Sequence, residues 1–521
     1  MRRLILAPRW LQFFIVVLLL FGIFFRFVNL DRKVYSPGEI DTLLHISGYT
    51  SIQVKQQLFN GRVIDKQAFA KFQSLNPEKK LGDTIKSLAI DNPRHPPLYY
   101  LLARFWIQFF GNSITTIRSL SAVISLSVFP CAYWLCRELF KVPLSLPGIA
   151  IALLAISPIQ IIYAQEAQEY ILWEVTILLS SAALLRALRL ESTQLKEESY
   201  ILNWGIYTFT LVLSLYTFLL SGFVAITHLC YVIAIAKFRW NQTFQRCLIS
   251  SLLGFLIFSP WILVILANQS FVLFSTDTEI KILSFPNSIL YWLIQTNHVF
   301  IDVNFNWLKP LSLIVVTPIF FALVGYALYC LWRTNHEKTW LFITSLIAIP
   351  TIPLLVSFRQ LDIAPYYLGV QIAVAYLLAI QLYNGSISRQ KTWQTILAVL
   401  IIVGLFSDTL YSQSYTWWSK FSGNNHLEIA NIINQASRPL LISSDADNNS
   451  ISILTLSSLV EQKVRFLLVQ GNNIPKISQN FSNIFLLNPS DTLRKRIEKK
   501  YLMNISIIYH GEYSSLWKLS K

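Results

Sequence analysis

Apolar residues in this chain fall in long blocks, not in the alternation of a half-buried sheet. A bilayer crossing needs about 18 or more predominantly apolar residues in one helix. Runs near or above that length lie at 11–28, 115–136, 146–164, 170–189, 201–220, 222–236, 249–267, 311–332, 339–357, 365–384 and 392–410. They predict an all-α polytopic membrane protein with about eleven transmembrane helices. The first run follows Arg2, Arg3 and Arg9. No small-residue cleavage site follows it, so it is expected to stay as an anchor and not to be removed as a signal peptide. Its single charge, Arg26, lies near the far end, where a long side chain is expected to snorkel to the interface.

Two segments fall outside this pattern. Residues 29–113 form a long first loop, charged to about residue 94 and then amphipathic. Its end, His95 to Gly111, is apolar but short, with Arg104 in its middle, and is expected to lie in the interface as a helix. Residues 412–521 are polar and rich in Asn and Ser. Strand-like pieces occur at 439–443, 464–469, 483–487 and 505–509, and a helical pattern covers 491–500 with Ser490 or Asp491 as its cap. The expected organisation is a transmembrane domain, 1–411, followed by a small α/β domain, 412–521.

Composition sharpens this picture. Only 13% of the residues are charged, against about 25% in soluble domains, and the mean hydropathy is +0.49. The 43 basic and 27 acidic residues leave a net charge of +16, a balance that in a soluble chain suggests nucleic-acid binding. Here the excess follows topology. With the N-terminus in the cytoplasm, the predicted cytoplasmic segments hold 15 basic and five acidic residues, as the positive-inside rule requires. No nucleic-acid partner is expected. An odd number of spans puts the C-terminal domain outside an inner (plasma) membrane. The five cysteines all sit in or beside spans, so no disulfide scaffold is expected.

Polar residues gather at three places on the outer side. Ser36-Pro37-Gly38-Glu39-Ile40-Asp41 follows the first span, with His45 one helical turn beyond Asp41. Glu39 and Asp41 share a face in an extended turn and diverge on a helix, and such acids serve as a base, metal ligands or a helix cap. The second group, Asp91 to Tyr100, sets Arg94 and His95 before a Pro-Pro helix start, where anions are favoured. The third, Tyr163 to Tyr170, carries Glu166, Gln168, Glu169 and Tyr170 between two spans. Later loops add Arg359, whose guanidinium suits a phosphate. Each group alone reads equally well as a solvated loop.

Taken in order, the groups resemble the family 39 glycosyltransferases of the GT-C class, which include protein mannosyltransferases and aminoarabinose transferases. The resemblance rests on GEID after the first span, on HPPLYYLL, on Phe110-Gly111-Asn112-Ser113 with Arg118 after it, and on SPIQIIYAQEAQEY. It covers about residues 10–190. It implies a polytopic enzyme that moves a sugar from a polyprenyl-phosphate donor to an acceptor hydroxyl on protein, lipid or glycan, with inversion and a carboxylate base. Asp41 or Glu39 would be the base. Arg94, His95 and Arg359 would hold the leaving phosphate, with Glu166, Gln168 and Tyr170 completing the substrate site. No certain cofactor is implied, although Glu39 and Glu166 could steady a divalent cation. Three positions depart from the family pattern: Gly38 replaces an Asp, Gln168 an Arg, and Tyr366 the Arg of an Arg-Tyr pair. The competing readings are an inactive relative, or a transporter or scaffold that presents the C-terminal domain.

Overall fold

The computed structural model describes residues 9–140, 145–191, 197–268, 296–302, 312–334, 337–348, 364–384, 387–417, 421–445, 449–478, 481–511 and 514–520. Helix α1 (Arg9–Phe27) leads into the long first loop, which folds as α2 (Pro37–Ser47), α3 (Ser51–Leu58), strand β1 (Val63–Ile64), α4 (Ala70–Gln73), α5 (Leu81–Asp91) and α6 (Leu98–Phe110). The bundle continues with α7 (Ile114–Leu126) and α8 (Val128–Leu139), α9 (Ser145–Ala155), α10 (Pro158–Gln165), α11 (Tyr170–Glu191), α12 (Glu197–Thr217), α13 (Ser221–Ile235) and α14 (Gln242–Ala267). Later helices cover Thr317–Arg333, Glu337–Ala348, Leu368–Asn384 and Ile387–Gln413.

All eleven apolar runs are helical where they are described. Among the described residues seven helices are long and apolar enough to cross a membrane, and α9 with α10 make an eighth crossing if the pair, bent by 59°, counts as one, fewer than the eleven expected. Helix α13 and the helix Lys338–Ala348 are apolar but shorter, and α12 mixes Asn, Thr, Ser and Tyr among its apolar positions. The architecture is thus an all-α membrane bundle with a small sheet domain. Helix α6 has an apolar exposed face, with Phe109 81% exposed beside Leu102, Phe105 and Phe110. A lipid-facing or interfacial position satisfies that face.

Arg26 does not snorkel. It is fully buried and donates to the Leu154 carbonyl at 3.1 Å, to Ala155 at 2.8 Å and to Gly22 at 2.9 Å. The reason is the break between α9 and α10, which leaves helix-terminal carbonyls without intrahelical partners inside the bundle. The guanidinium satisfies them and meets the negative end of the α9 dipole. Gly22 permits this approach, because a Cβ there would stand 2.5 Å from the Ala155 oxygen. His228, the mid-span histidine, lies 3.2 Å from Ser181 Oγ and 3.3 Å from the Tyr207 hydroxyl, an ordinary interhelical hydrogen-bond role.

The tail supplies five strands of a six-stranded sheet in the order β1-β3-β2-β4-β6-β5: β2 (Pro439–Ser444), β3 (Arg465–Val469), β4 (Asn483–Leu487), β5 (Asn504–His510) and β6 (Ser515–Ser520). Strands β2, β3 and β4 run parallel, and β5 and β6 are antiparallel additions. Alternate residues divide the faces, as strand geometry dictates. Leu441, Phe466, Leu468 and Phe485 join the core that runs into the bundle. Leu440, Ile442, Leu467 and Leu486 pack with Leu493 and Ile497 of the helix Asp491–Tyr501, whose cap is Ser490.

Strand β1 belongs to the first loop, yet it pairs antiparallel with β3, Val63 opposite Leu467. Lys66 Nζ donates to the carbonyls of Ser458 and Val460 at 3.3 and 2.9 Å. The rings of Phe69 and Phe466 meet at 4.7 Å, and Trp417 Nε1 donates to the Val34 carbonyl at 2.8 Å. The first loop and the tail therefore lie on one side of the membrane, so the chain crosses an even number of times between them. Arg26→Met would strand the α9 carbonyls and is expected to cost about 3 kcal/mol, read as a fall of several degrees in the unfolding temperature of the detergent-solubilised protein.

Candidate functional site

The segment after α1 folds locally as a helix start. Ser36 Oγ accepts from the Glu39 amide at 3.2 Å, and Glu39 Oε2 accepts from the Ser36 amide at 2.9 Å. This is a capping box with Pro37 in the first turn. Because α2 is helical from here, Glu39 and Asp41 point in different directions.

Glu39 points inward and is fully buried. Arg118 on α7 grips both of its oxygens at 2.8 Å, and the Ala167 amide donates to Oε1 at 3.1 Å. The same guanidinium donates to the carbonyls of Leu30, Lys33 and Val34 at 2.7, 2.9 and 3.1 Å. A carboxylate with this set of partners has no lone pair directed at a substrate. Glu166 is also fully buried and accepts from Ser36 Oγ at 2.9 Å. Its neighbour Gln165 donates to the carbonyls of Phe25 and Val28 at 2.7 and 3.0 Å and accepts from Lys33 Nζ at 3.3 Å. Burial and the nearby Arg118 and Arg32 charges bring the Lys33 amine down to about 7.

Gly38 and Gln168, two of the three motif departures, are in contact. A Cβ at Gly38 would overlap the Gln168 amide, with Cδ at 2.7 Å. The Gln168 side chain fills the space that a side chain at 38 would take.

Asp41 points the other way, 25% exposed, and sits 3.2 Å from His45 Nε2. Asn92 Nδ2 donates to the same oxygen at 3.2 Å. Burial would raise the Asp41 carboxyl, but the His45 charge outweighs it and holds the pKa below the usual value. Asn92 begins the loop that sets His95 against Glu169, through Nδ1 and Oε1. His95 is 21% exposed and Glu169 is buried. The Tyr100 hydroxyl donates to the other Glu169 oxygen at 3.3 Å. Rings close round this end: Tyr100 lies 6.5 Å from His95, Phe218 6.0 Å from His95, and Tyr170 5.6 Å from Phe218. Trp261 Nε1 donates to the Pro93 carbonyl at 3.0 Å, which ties the Arg94-bearing loop to α14.

The structure thus brings Glu39, Asp41, Arg94, His95, Glu166, Gln168 and Tyr170 to one end of the bundle. Arg359 lies outside the described residues. Within the cluster Asp41, Arg94, His95, Gln168 and Tyr170 remain partly exposed, whereas Glu39 and Glu166 are closed in. Glu169 and Tyr100 have parts that the sequence alone does not reveal, since the His95–Glu169 contact spans 74 positions. Among the described residues no group of three or more His, Cys, Asp or Glu is arranged to hold a metal ion.

No protein-family model matches the chain, and no curated protein sequence matches it. Solved structures do. ArnT from Cupriavidus metallidurans, bound to undecaprenyl phosphate, is 12% identical, with a TM-score of 0.51 over 98% of each chain. The Archaeoglobus fulgidus oligosaccharyltransferase in its apo form is also 12% identical, with a TM-score of 0.51 over 89% of this chain and 65% of that one. Its complex with Zn and sulfate gives a TM-score of 0.50 at 12% identity, over 85% of this chain and 61% of that one. The present chain spans less than two thirds of that protein's length. The chain therefore has a GT-C membrane fold.

Gly38→Ala is expected to push the partly exposed Gln168 amide aside and to destabilise by about 1 kcal/mol. Adding Gln168→Ala should recover most of the loss, a coupling that a double-mutant thermal-unfolding cycle measures.

Proposed function

We propose that this chain is a GT-C glycosyltransferase, related to family 39, that moves a sugar from a polyprenyl-phosphate donor to an acceptor hydroxyl at the outer face of the inner membrane. The observation that carries the reading is the partly open Asp41–Asn92–His95 end of the site beside the closed Glu39–Arg118 pair. The fold shared along its full length with a protein that binds undecaprenyl phosphate supports it. Asp41 is the general base. Its carboxylate takes the acceptor O–H proton as the acceptor oxygen bonds to the anomeric carbon. The bond from that carbon to the phosphate oxygen breaks with inversion, and the electron pair leaves on polyprenyl phosphate. His95, oriented by Glu169, and Arg94 face that leaving charge, where fixed cations stabilise the transition state more than the ground state. Tyr170, beside the buried Phe218, offers the aromatic surface that a sugar ring packs on.

Glu39 takes a positioning role in this scheme and not that of a second base. Any divalent cation at the site is held by groups other than Glu39, because Arg118 already supplies the positive charge there. Asp41→Asn is expected to lower transfer from undecaprenyl-phosphate-linked sugars by 10²–10⁴-fold while the protein still unfolds in a cooperative transition above the assay temperature. Full activity in that variant overturns the assignment. Undecaprenyl phosphate alone should raise the unfolding temperature of the parent protein, and should do so less for His95→Ala; no shift in the parent would sink the donor reading.

A further inference from the structure

His45 lies inside the first loop, fully buried, and its two ring nitrogens face different partners. Nδ1 lies 2.8 Å from Ser87 Oγ on α5. That hydroxyl spends its only proton on the Tyr49 carbonyl, 2.6 Å away, so towards His45 it can only accept. Nδ1 must then carry a hydrogen. Nε2 lies 3.2 Å from an Asp41 carboxylate oxygen, within ion-pair reach but out of hydrogen-bond alignment. With Nδ1–H donating to Ser87, a second hydrogen on Nε2 makes the ring an imidazolium that pairs with Asp41 by charge.

The other groups packed around it agree. On α5, Asp91 adds a second negative charge, and its Oδ2 accepts from the Ser51 amide at 2.5 Å. On α6, the Tyr100 ring stands edge-on at 5.9 Å, and the Arg104 guanidinium is drawn off to the Ile46 carbonyl at 2.5 Å and to the Lys79 carbonyl. His95, from the loop before α6, opposes the His45 charge. Burial alone would lower the His45 pKa, but the Asp41 charge, the Asp41 contact and Asp91 together raise it.

We propose that His45 is a positioning residue that stays an imidazolium and holds Asp41 ionised, turned toward Asn92 at the open end of the site. The catalytic consequence rests on Asp41 as the base; the ion pair does not. A carboxylate at the mouth of an apolar bundle would otherwise gain a proton as the outer medium becomes acidic. Paired with His45⁺, it remains a base to lower pH. One oxygen faces His45 and Asn92, which leaves the other available to an acceptor hydroxyl. The arrangement lets the enzyme work outside the cell, where the medium is not buffered.

The test uses the full-length protein in nanodiscs with ring-labelled histidine. There are seven histidines, and the His45 signal is identified by its loss in His45→Gln, or by elimination through variants of the other six. His45 is expected to be an imidazolium at pH 7, and Asp41→Asn should lower its titration midpoint by about one unit or more. A neutral ring at pH 6.5 in the parent, or a midpoint unmoved by Asp41→Asn, overturns the proposal. In transfer assays His45→Gln should move the acid limb of the rate profile to higher pH by about one unit, since Asp41 loses the charge that holds its pKa down. An unmoved limb counts against the proposal, because a merely structural His45 would lower the rate at every pH alike. Transfer retained in Asp41→Asn with the titration coupling present defeats the base assignment and leaves the ion pair standing. Transfer lost with the coupling absent does the reverse.

Discussion

The Glu39–Arg118 pair is the contact on which the site depends. Burying two charges costs several kcal/mol each, and their attraction repays this only when the geometry is good and the remaining hydrogen-bonding capacity is filled. Both conditions hold here: the grip on Glu39 is bidentate, two backbone amides complete the acid, and three carbonyls take the rest of the guanidinium. Such a pair adds little over a well-packed apolar pair, yet removing one member costs about 3–5 kcal/mol. What it supplies is geometry. It fixes the exit of α1, the start of α2, the face of α7 and the α10–α11 junction at one point, and so decides which way α2 presents Asp41.

The exposed and buried acids then divide the work. Glu39, Glu166 and Glu169 are closed in and hold other groups in place: Arg118, Ser36 and His95. Asp41 and His95 keep an open edge. The local partners of each acid decide whether it is enclosed or open.

Much of this was legible in the sequence, and the limits have physical causes. Apolar runs mark helices because only a helix satisfies its own backbone in lipid, so the bundle was readable; the count was not, since run length alone does not separate crossing helices from shorter or more polar ones such as α12 and α13. The strands of the tail were readable by pattern, but β6 and the first-loop strand β1 were not, since two apolar residues give no period. Arg26 was misjudged because the α9–α10 break, which creates its acceptors, lies about 130 residues away. The three polar clusters were identifiable as such. Which of their acids meets an arginine and which meets solvent depends on contacts 40 to 130 positions apart. The adjacency of Gly38 and Gln168 is of the same kind: each looks like an isolated loss until the fold sets them side by side.

The pairing of β1 with β3 has a consequence in time. The two strands are about 400 residues apart, and at roughly 5–20 residues per second of synthesis the first waits tens of seconds for the second. Until then Phe69, Gln73 and the back of α2 lack the partners that the helix Asn449–Leu459 and the tail sheet provide. The first-loop half of the polar cluster is therefore among the first parts to be made and among the last to be completed. A chain that stops before the tail sheet carries a bundle whose first loop lacks its packing partners.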